Sequence, residues 1–321
     1  MIWISLSLIS AALLGIYDVV KKNAVSENVV AYVLWVSAAN GAVIWFLLAV
    51  AMGLGLQDVF PHWLHLMPLD WTDHARLFGK AILVGASWSL ALYALKYLPL
   101  SIAAPIRSAS PLMTIVLAII WMGERPTWWQ WIGMIIVLGS FWALSFVGRL
   151  EGIRFHRDRW VAFMLVATAL GACSSIYDKV LLQQFRYPPA TVQAWFTWYT
   201  LPVMTPVALA TLVSRSNSDE RFSVFNRREH QARERIERFK FRWSILAISP
   251  LLLIADMAYF TAVADGTALV SVISTLRRCS VIVVLILAKG RTGELNLRLK
   301  WCCAIGMILG VALIVWSGQH G

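Results

Sequence analysis

The stretch SLISAALLGIYDVVKKN, residues 7–23, closes the first long apolar segment of the chain. Its tripeptide Ile16-Tyr17-Asp18 returns as Ile176-Tyr177-Asp178 at the end of a second apolar segment, 160 positions later. Because repeated segments determine the architecture of a chain, this pair is the first sign of an internal duplication.

Three further matches keep the same order along the chain. Tyr93 has a counterpart in Tyr259, Gly123-Glu124 returns as Gly293-Glu294, and Ile132-Gly133-Met134 returns as Ile305-Gly306-Met307. The offset grows slowly to 173, as insertions in loops would make it. We therefore expect two related halves, residues 1–150 and residues 151–321, with a basic loop at 214–242 in the second half.

The composition is that of a membrane protein. The 321 residues are 59% hydrophobic and 14% charged, with a mean hydropathy of +0.69, whereas an average soluble domain has about 25% charged residues. A helix needs about 20 mostly apolar residues to cross the hydrocarbon core. Segments of this kind lie near 2–20, 29–52, 78–98, 101–122, 129–148, 160–182, 191–213, 243–264, 268–288 and 300–317. We predict an all-α integral membrane protein of about ten transmembrane helices.

The duplication also predicts how the two halves are oriented. Five spans per half is an odd number, so the second half must enter the membrane in the opposite direction to the first. Inverted repeats of this kind are common in secondary transporters, and they place the substrate site near the midplane, between the halves.

The net charge of +11 is unevenly distributed between the two sides of the membrane. Loops opposite the N-terminal side contain Lys21, Lys22, Lys96, Arg149, Arg154, Arg157, Arg159, Lys289, Arg291, Arg298 and Lys300, and also the basic run 215–242. The N-terminal side has Arg76, Lys80, Arg125, Lys179 and Arg186. Since cytoplasmic loops carry the excess of Lys and Arg, we expect both termini outside the cell and no nucleic-acid partner.

Two long loops allow more than one interpretation. In the basic loop, the Glu229–Arg233 and Glu234–Arg238 spacings favour a short helix, either solvated or lying on anionic lipid. The connection 53–76 contains three histidines, but their spacing matches no helical metal site, so we interpret it as an interfacial loop anchored by tryptophans. The four cysteines fall inside predicted spans and are expected to be packing residues, and no cofactor is predicted.

The residues resemble the drug/metabolite transporter superfamily, and within it the ten-helix EamA-like transporters. The resemblance covers essentially the whole chain. It rests on the five-plus-five duplication, the short hairpins between spans three and four and spans eight and nine, Gly123-Glu124, and the stretch 274–280 that leads to Gly293-Glu294. It implies a central cavity lined chiefly by spans one, three, four, six, eight and nine, open alternately to the two sides.

Charged groups inside apolar spans are the candidate site residues, because a charge in hydrocarbon is costly. Arg107, Arg277 and Arg278 would favour an anionic ligand such as a carboxylate, a phosphate or a phosphate-bearing headgroup. Alternatively, they pair with Asp18, Asp178 or Asp256 and only hold the spans together. Asp256 is also a candidate proton-coupling residue, with Tyr259 on the same helical face. The further candidates are the repeat-related residues Tyr17, Tyr177, Asp18, Asp178, Tyr93 and Tyr259.

These features favour a secondary transporter for a small, anionic metabolite in a bacterial inner membrane, coupled to protons or to exchange. The alternative is a flippase for an anionic lipid or a lipid-linked sugar, which would need a lateral opening between spans. An enzyme is disfavoured, because the sequence has no His, Cys or Ser constellation on facing spans and no Gly-rich phosphate loop.

Overall fold

The computed structural model describes residues 2–25, 28, 30–98, 106–107, 109–147, 159–222, 241–288 and 297–320. The regular secondary structure within these ranges is helical and includes no strand, which confirms the all-α fold class. The α-helices are α1 (Ile2–Val25), α2 (Val30–Gly53), α3 (Trp71–Tyr97), α4 (Ser110–Met122), α5 (Trp128–Val147), α6 (Arg159–Lys179), α7 (Pro189–Phe222), α8 (Trp243–Ala264), α9 (Val270–Leu276), α10 (Ser280–Ala288) and α11 (Leu297–His320). A π-helical turn, Val180–Gln184, extends α6, and a 3₁₀ turn, Arg277–Cys279, joins α9 to α10.

Five described apolar stretches are long enough to cross a membrane. They are Ile2–Ala24, Tyr32–Gly53, Arg159–Gln184, Trp243–Ala264 and Val270–Leu287. Shorter apolar helices cover Ser110–Met122, Trp128–Ala143 and Trp301–Ser317. The two remaining predicted spans coincide with α3 and α7, whose ends are polar: α3 begins with charged residues, and α7 continues past the predicted span into a polar segment. The count of ten spans stays a prediction.

Local sequence explains where α3 and α4 begin and end. The Asp73 carboxylate accepts a hydrogen bond from the Asp70 backbone N–H at 3.3 Å, which caps the start of α3. Pro111 lies in the first turn of α4, where its missing N–H costs no helical hydrogen bond. Gly123, with φ +63°, ends α4 in the left-handed conformation that glycine adopts most easily.

The helices pack mainly in pairs. α1 runs along α8, α3 along α6, α5 along α11, and α2 against α7. α5 and α11 approach each other closely: an added Cβ at Gly133 would lie 2.8 Å from the Gly310 carbonyl oxygen, and one at Gly310 would lie 2.8 Å from the Gly133 carbonyl oxygen. The Asn40 side chain donates a hydrogen bond to the Leu246 carbonyl oxygen at 3.0 Å, an example of the cross-helix role expected for a polar residue in a span.

The core differs between the two ends of the bundle. We call the end where α1 begins and α11 ends, with the turns 123–127, 185–188 and 265–269, the terminal face, and the opposite end the basic face. The largest apolar cluster lies in the terminal half and includes Leu77, Leu181 and Val263. A smaller, separate cluster in the same half joins α2 to the start of α7. In the basic half, the described apolar residues form separate clusters, one between α3 and α6 and one among α1, α2 and α8.

One sequence-based placement is wrong. Lys80 was counted among the loop charges of the N-terminal side, but it is buried in α3, where its side chain pairs with a carboxylate. Gly293-Glu294 and the helix expected at 229–238 lie outside the described residues.

Candidate substrate and coupling site

The 3₁₀ turn between α9 and α10 presents Arg277 to helix α8. An Arg277 guanidinium nitrogen lies 2.8 Å from Asp256 Oδ1, and both side chains are about one-quarter exposed. The guanidinium carbon also lies 4.1 Å from the ring centre of Tyr259, three residues beyond Asp256 on α8. Arg277 therefore combines an ion pair and a cation–π contact on one face of α8.

A second ion pair lies deeper in the bundle, between Lys80 of α3 and Asp178 of α6. The Lys80 ammonium also lies 4.7 Å from the Phe196 ring centre and 4.9 Å from that of Phe260. Lys80 is 2% exposed and Asp178 is 5% exposed. Two buried charges require each other, because either one alone would be left without water or a counter-ion.

Tyr259 connects the two ion pairs. Its ring lies under Arg277, and its hydroxyl donates a hydrogen bond to Asp178 Oδ2 at 3.2 Å. Residues of α3, α6, α8 and the α9–α10 turn thus form one polar cluster inside the apolar bundle. One side chain, Tyr259, therefore contacts a member of each ion pair.

A second set of charges lies toward the basic face. Asp18, on α1, interacts electrostatically with Lys21, Arg277 and Arg278, and Arg278 also interacts with Arg107. Asp18 and Arg107 are exposed at the protein surface although they belong to apolar segments. Because Asp18 interacts with Arg277 and Arg278 of another span, and Arg107 interacts with Arg278, we infer that both side chains face an opening between helices rather than lipid.

The structure separates the remaining tyrosine candidates. Tyr17 is half-buried, with the Lys21 ammonium 5.3 Å from its ring centre. Tyr177 donates a hydrogen bond to the Arg76 carbonyl oxygen at 3.1 Å, on the terminal side of the cluster. Tyr93 is 44% exposed, whereas its repeat counterpart Tyr259 is buried at the centre of the cluster.

Glu124 joins the start of α9 to α6 at the terminal face. Its carboxylate accepts hydrogen bonds from the backbone N–H groups of Val270 and Ser271, at 2.7 and 3.1 Å, at the start of α9. It also pairs with Lys179 of α6 at 2.8 Å, and Lys179 donates to the Ala268 carbonyl oxygen. A carboxylate at a helix N-terminus satisfies free N–H groups and opposes the positive end of the helix dipole.

A further polar contact lies outside the predicted spans at the same face. The Tyr187 hydroxyl donates to Asp73 Oδ1, and Arg76 lies 2.8 Å from the same oxygen. The hydrogen bond from Tyr187, with smaller contributions from the Asp70 N–H and Arg76, holds the pKa of Asp73 below its ordinary value. In the neighbouring loop and first turn of α3, His65 lies 3.1 Å from the Gln57 carbonyl oxygen and His74 lies 2.8 Å from the Tyr199 hydroxyl.

Sequence reasoning missed Lys80 and gave Glu124 no role beyond the repeat. Lys80 shares its helical face with Leu77, Ala81 and Val84, all buried, so its position in an apolar stripe could have revealed it. Glu124 follows Gly123, which ends α4. Its role in capping α9 becomes visible only when the position of the start of α9 is known.

Comparisons with known proteins agree with this architecture. Residues 1–146 match the sequence model of the EamA-like transporter family, which confirms the predicted resemblance over that part of the chain. Together with the apolar helices, this match indicates a multi-pass integral membrane protein whose first half is similar to EamA-like transporters.

The whole-chain fold also has a structural counterpart. A solved structure titled "Crystal structure of protein" matches with a TM-score of 0.62 at 14% identity, covering 99% of this chain and 96% of that one. At this identity the likeness shows the shared fold alone. No curated protein matches the sequence.

Proposed function

We propose that the protein is a secondary transporter that moves a small, anionic metabolite by alternating access, coupled to protons or to exchange of a second solute. The cluster in which Tyr259 joins Lys80–Asp178 to Asp256–Arg277 carries this proposal. Charges inside membrane helices are costly and typically mark a substrate or ion pathway.

The packing pattern supports an inverted repeat of residues 1–150 and 151–321. Exchanging the first five spans with the last five turns the α1–α8 contact into the α6–α3 contact, and the structure contains both. The same exchange swaps α2 with α7 and α5 with α11, so it leaves the α2–α7 and α5–α11 contacts unchanged. In the proposed topology, α9 and α10 form one broken span and the residues from 106 to the end of α4 form another, which gives ten crossings.

The distribution of apolar contacts supports one closed and one open end. The terminal half has the largest described cluster, a smaller one and the Glu124 contacts, whereas the described clusters of the basic half are all small. Under the positive-inside rule, the basic face is cytoplasmic and both termini are outside, in a bacterial-type inner membrane. The described conformation would then be open to the cytoplasm.

Transport currents provide the test. Proteoliposomes on a solid-supported membrane would be challenged with amino acids, mono- and dicarboxylates and phosphorylated metabolites. We expect a current for at least one class, abolished in Asp256→Asn and retained in Arg125→Gln, which removes a charge at an exposed turn of the terminal face. The absence of both a current and an exchange of preloaded labelled solute above the level of protein-free liposomes, for every class, would contradict the proposal.

A further inference from the structure

The charges between the helices do not balance. Lys80 and Asp178 neutralise each other in their buried pair. When the polar cluster around Tyr259 and the second set of charges toward the basic face are counted together, the remaining described cations are Lys21, Arg107, Arg277 and Arg278. The remaining described anions are Asp18 and Asp256. Two positive charges of this described set are therefore left without a protein counter-ion.

Arg278 has a buried donor that lacks an acceptor among the described residues. Its Nε is buried, and no described protein atom accepts a hydrogen bond from it. Its neighbouring charges include Arg277 and Arg107, which repel it, and Asp18 as the opposing anion. A buried guanidinium donor without an acceptor is costly, so a ligand that accepts this hydrogen bond would gain affinity.

Arg277 provides a second contact beside it. Asp256 Oδ1 occupies one of its terminal nitrogens, and the side chain remains partly exposed. Successive residues of a 3₁₀ turn point about 120° apart, so Arg277 and Arg278 can hold two anionic groups, or two sides of one phosphate, rather than one single oxygen.

We propose that the transported ligand is a doubly charged anion, either a phosphate monoester or a dicarboxylate, whose second charge is recognised by Arg278. This inference rests on the proposed transport function and specifies its substrate class. A ligand with two negative charges neutralises the excess of the described set, whereas a singly charged ligand leaves one positive charge of that set without a counter-ion.

Matched ligand pairs test the charge directly. The thermal stability of purified protein in detergent would be titrated with methyl phosphate against dimethyl phosphate, and with succinate against succinamate, since a ligand of the native state raises the melting temperature. We expect at least one dianion to bind about tenfold or more tightly than its monoanionic partner, roughly the effect of one charge-assisted hydrogen bond. Equal affinities within both pairs would overturn the proposal.

Charge variants sharpen the test. Arg278→Gln should abolish the preference for the dianion, and Asp18→Asn, which leaves the cluster more positive, should strengthen anion binding. Arg125→Gln removes the same charge outside the cluster and should change neither affinity. If Arg278→Gln keeps the full preference for the dianion, Arg278 is not the recognising residue and the proposal fails.

Two further measurements complete the test. The first distinguishes a soluble phosphate ester from a phospholipid headgroup, and the second distinguishes the dianion proposal from the transport proposal. Glycerol 3-phosphate would be compared with short-chain phosphatidic acid, which carries the same headgroup on a lipid. Stabilisation by the lipid alone would indicate a flippase and contradict a soluble metabolite. Transport of singly charged anions but of no dianion would overturn the dianion and leave the proposed anion transport intact.

Discussion

The two copies of the Ile-Tyr-Asp tripeptide occupy different environments. Asp178 is buried and paired with Lys80, toward the terminal face, whereas Asp18 is exposed and interacts with Lys21 toward the basic face. Under the proposed inverted repeat, corresponding residues lie on opposite sides of the midplane, so the proposed closure at one end would give them different environments. On this proposal, the asymmetry arises from the conformational state as well as from the sequence.

The largest effect is expected at the buried copy. Lys80→Met leaves Asp178 buried without a counter-ion and should lower the free energy of unfolding by about 3–5 kcal/mol. Asp18→Asn, at the exposed copy, should change it by about 1 kcal/mol or less. Unfolding in mixed micelles measures both variants.

The double variant Lys80→Met/Asp178→Asn is the control for this prediction. It removes both charges, so most of the lost stability should return. A double variant as unstable as the single one would mean that packing around Lys80, rather than its charge, stabilises this copy.

A glycine next to the exposed copy gives the next effect. An added Cβ at Gly15 would lie 2.6 Å from the Ser280 carbonyl oxygen and 2.6 Å from Val283 Cβ. Gly15→Ala should therefore push α1 away from α10 and destabilise the protein by about 1–3 kcal/mol. Thermal unfolding in detergent measures the loss.

Gly139→Ala is the matched control, because nothing lies within 4 Å of an added Cβ in α5. It should leave stability unchanged or raise it slightly, since alanine favours a helix more than glycine does. If the two variants behave alike, the close contact between α1 and α10 does not hold in solution.

The repeat-related tyrosines give a smaller effect. Tyr259→Phe keeps the ring under Arg277 but removes the hydrogen bond to Asp178, which should cost about 1–2 kcal/mol. Tyr93→Phe, at the exposed counterpart, should be neutral. If the two substitutions lower the free energy of unfolding equally in the same assay, the two tyrosines do not differ in their contribution to stability, and this prediction is wrong.

The smallest effect depends on pH and lies outside the spans. Tyr187→Phe removes the main cause of the lowered pKa of Asp73. A lowered folded-state pKa stabilises the protein above the ordinary value of 3.8, and this stability is lost as the pH falls through the lowered pKa. The melting temperatures of wild type and variant should therefore differ at neutral pH and converge below that pKa. A constant difference at all pH values would exclude this linkage.

Some of these features could be predicted from sequence and others could not. The length of the apolar segments and the repeat predicted the helices, because a helix depends on residues that are close together in the sequence. An arginine–aspartate pairing was among the sequence-based alternatives, because it depends on residue type. The Lys80–Asp178 pair joins residues 98 positions apart on helices whose packing no local pattern reveals. Likewise, the role of Glu124 depends on where α9 begins, 146 positions later.

Paired distance measurements test the alternating-access claim most directly. Spin labels at Arg125 and Gly266 report on the terminal face, and labels at Lys22 and Ala162 report on the basic face; all four positions are exposed. On addition of the ligand that stabilises the protein most, we predict a population in which the first distance lengthens while the second shortens. Both distances staying fixed, or both changing in the same direction, would contradict alternating access.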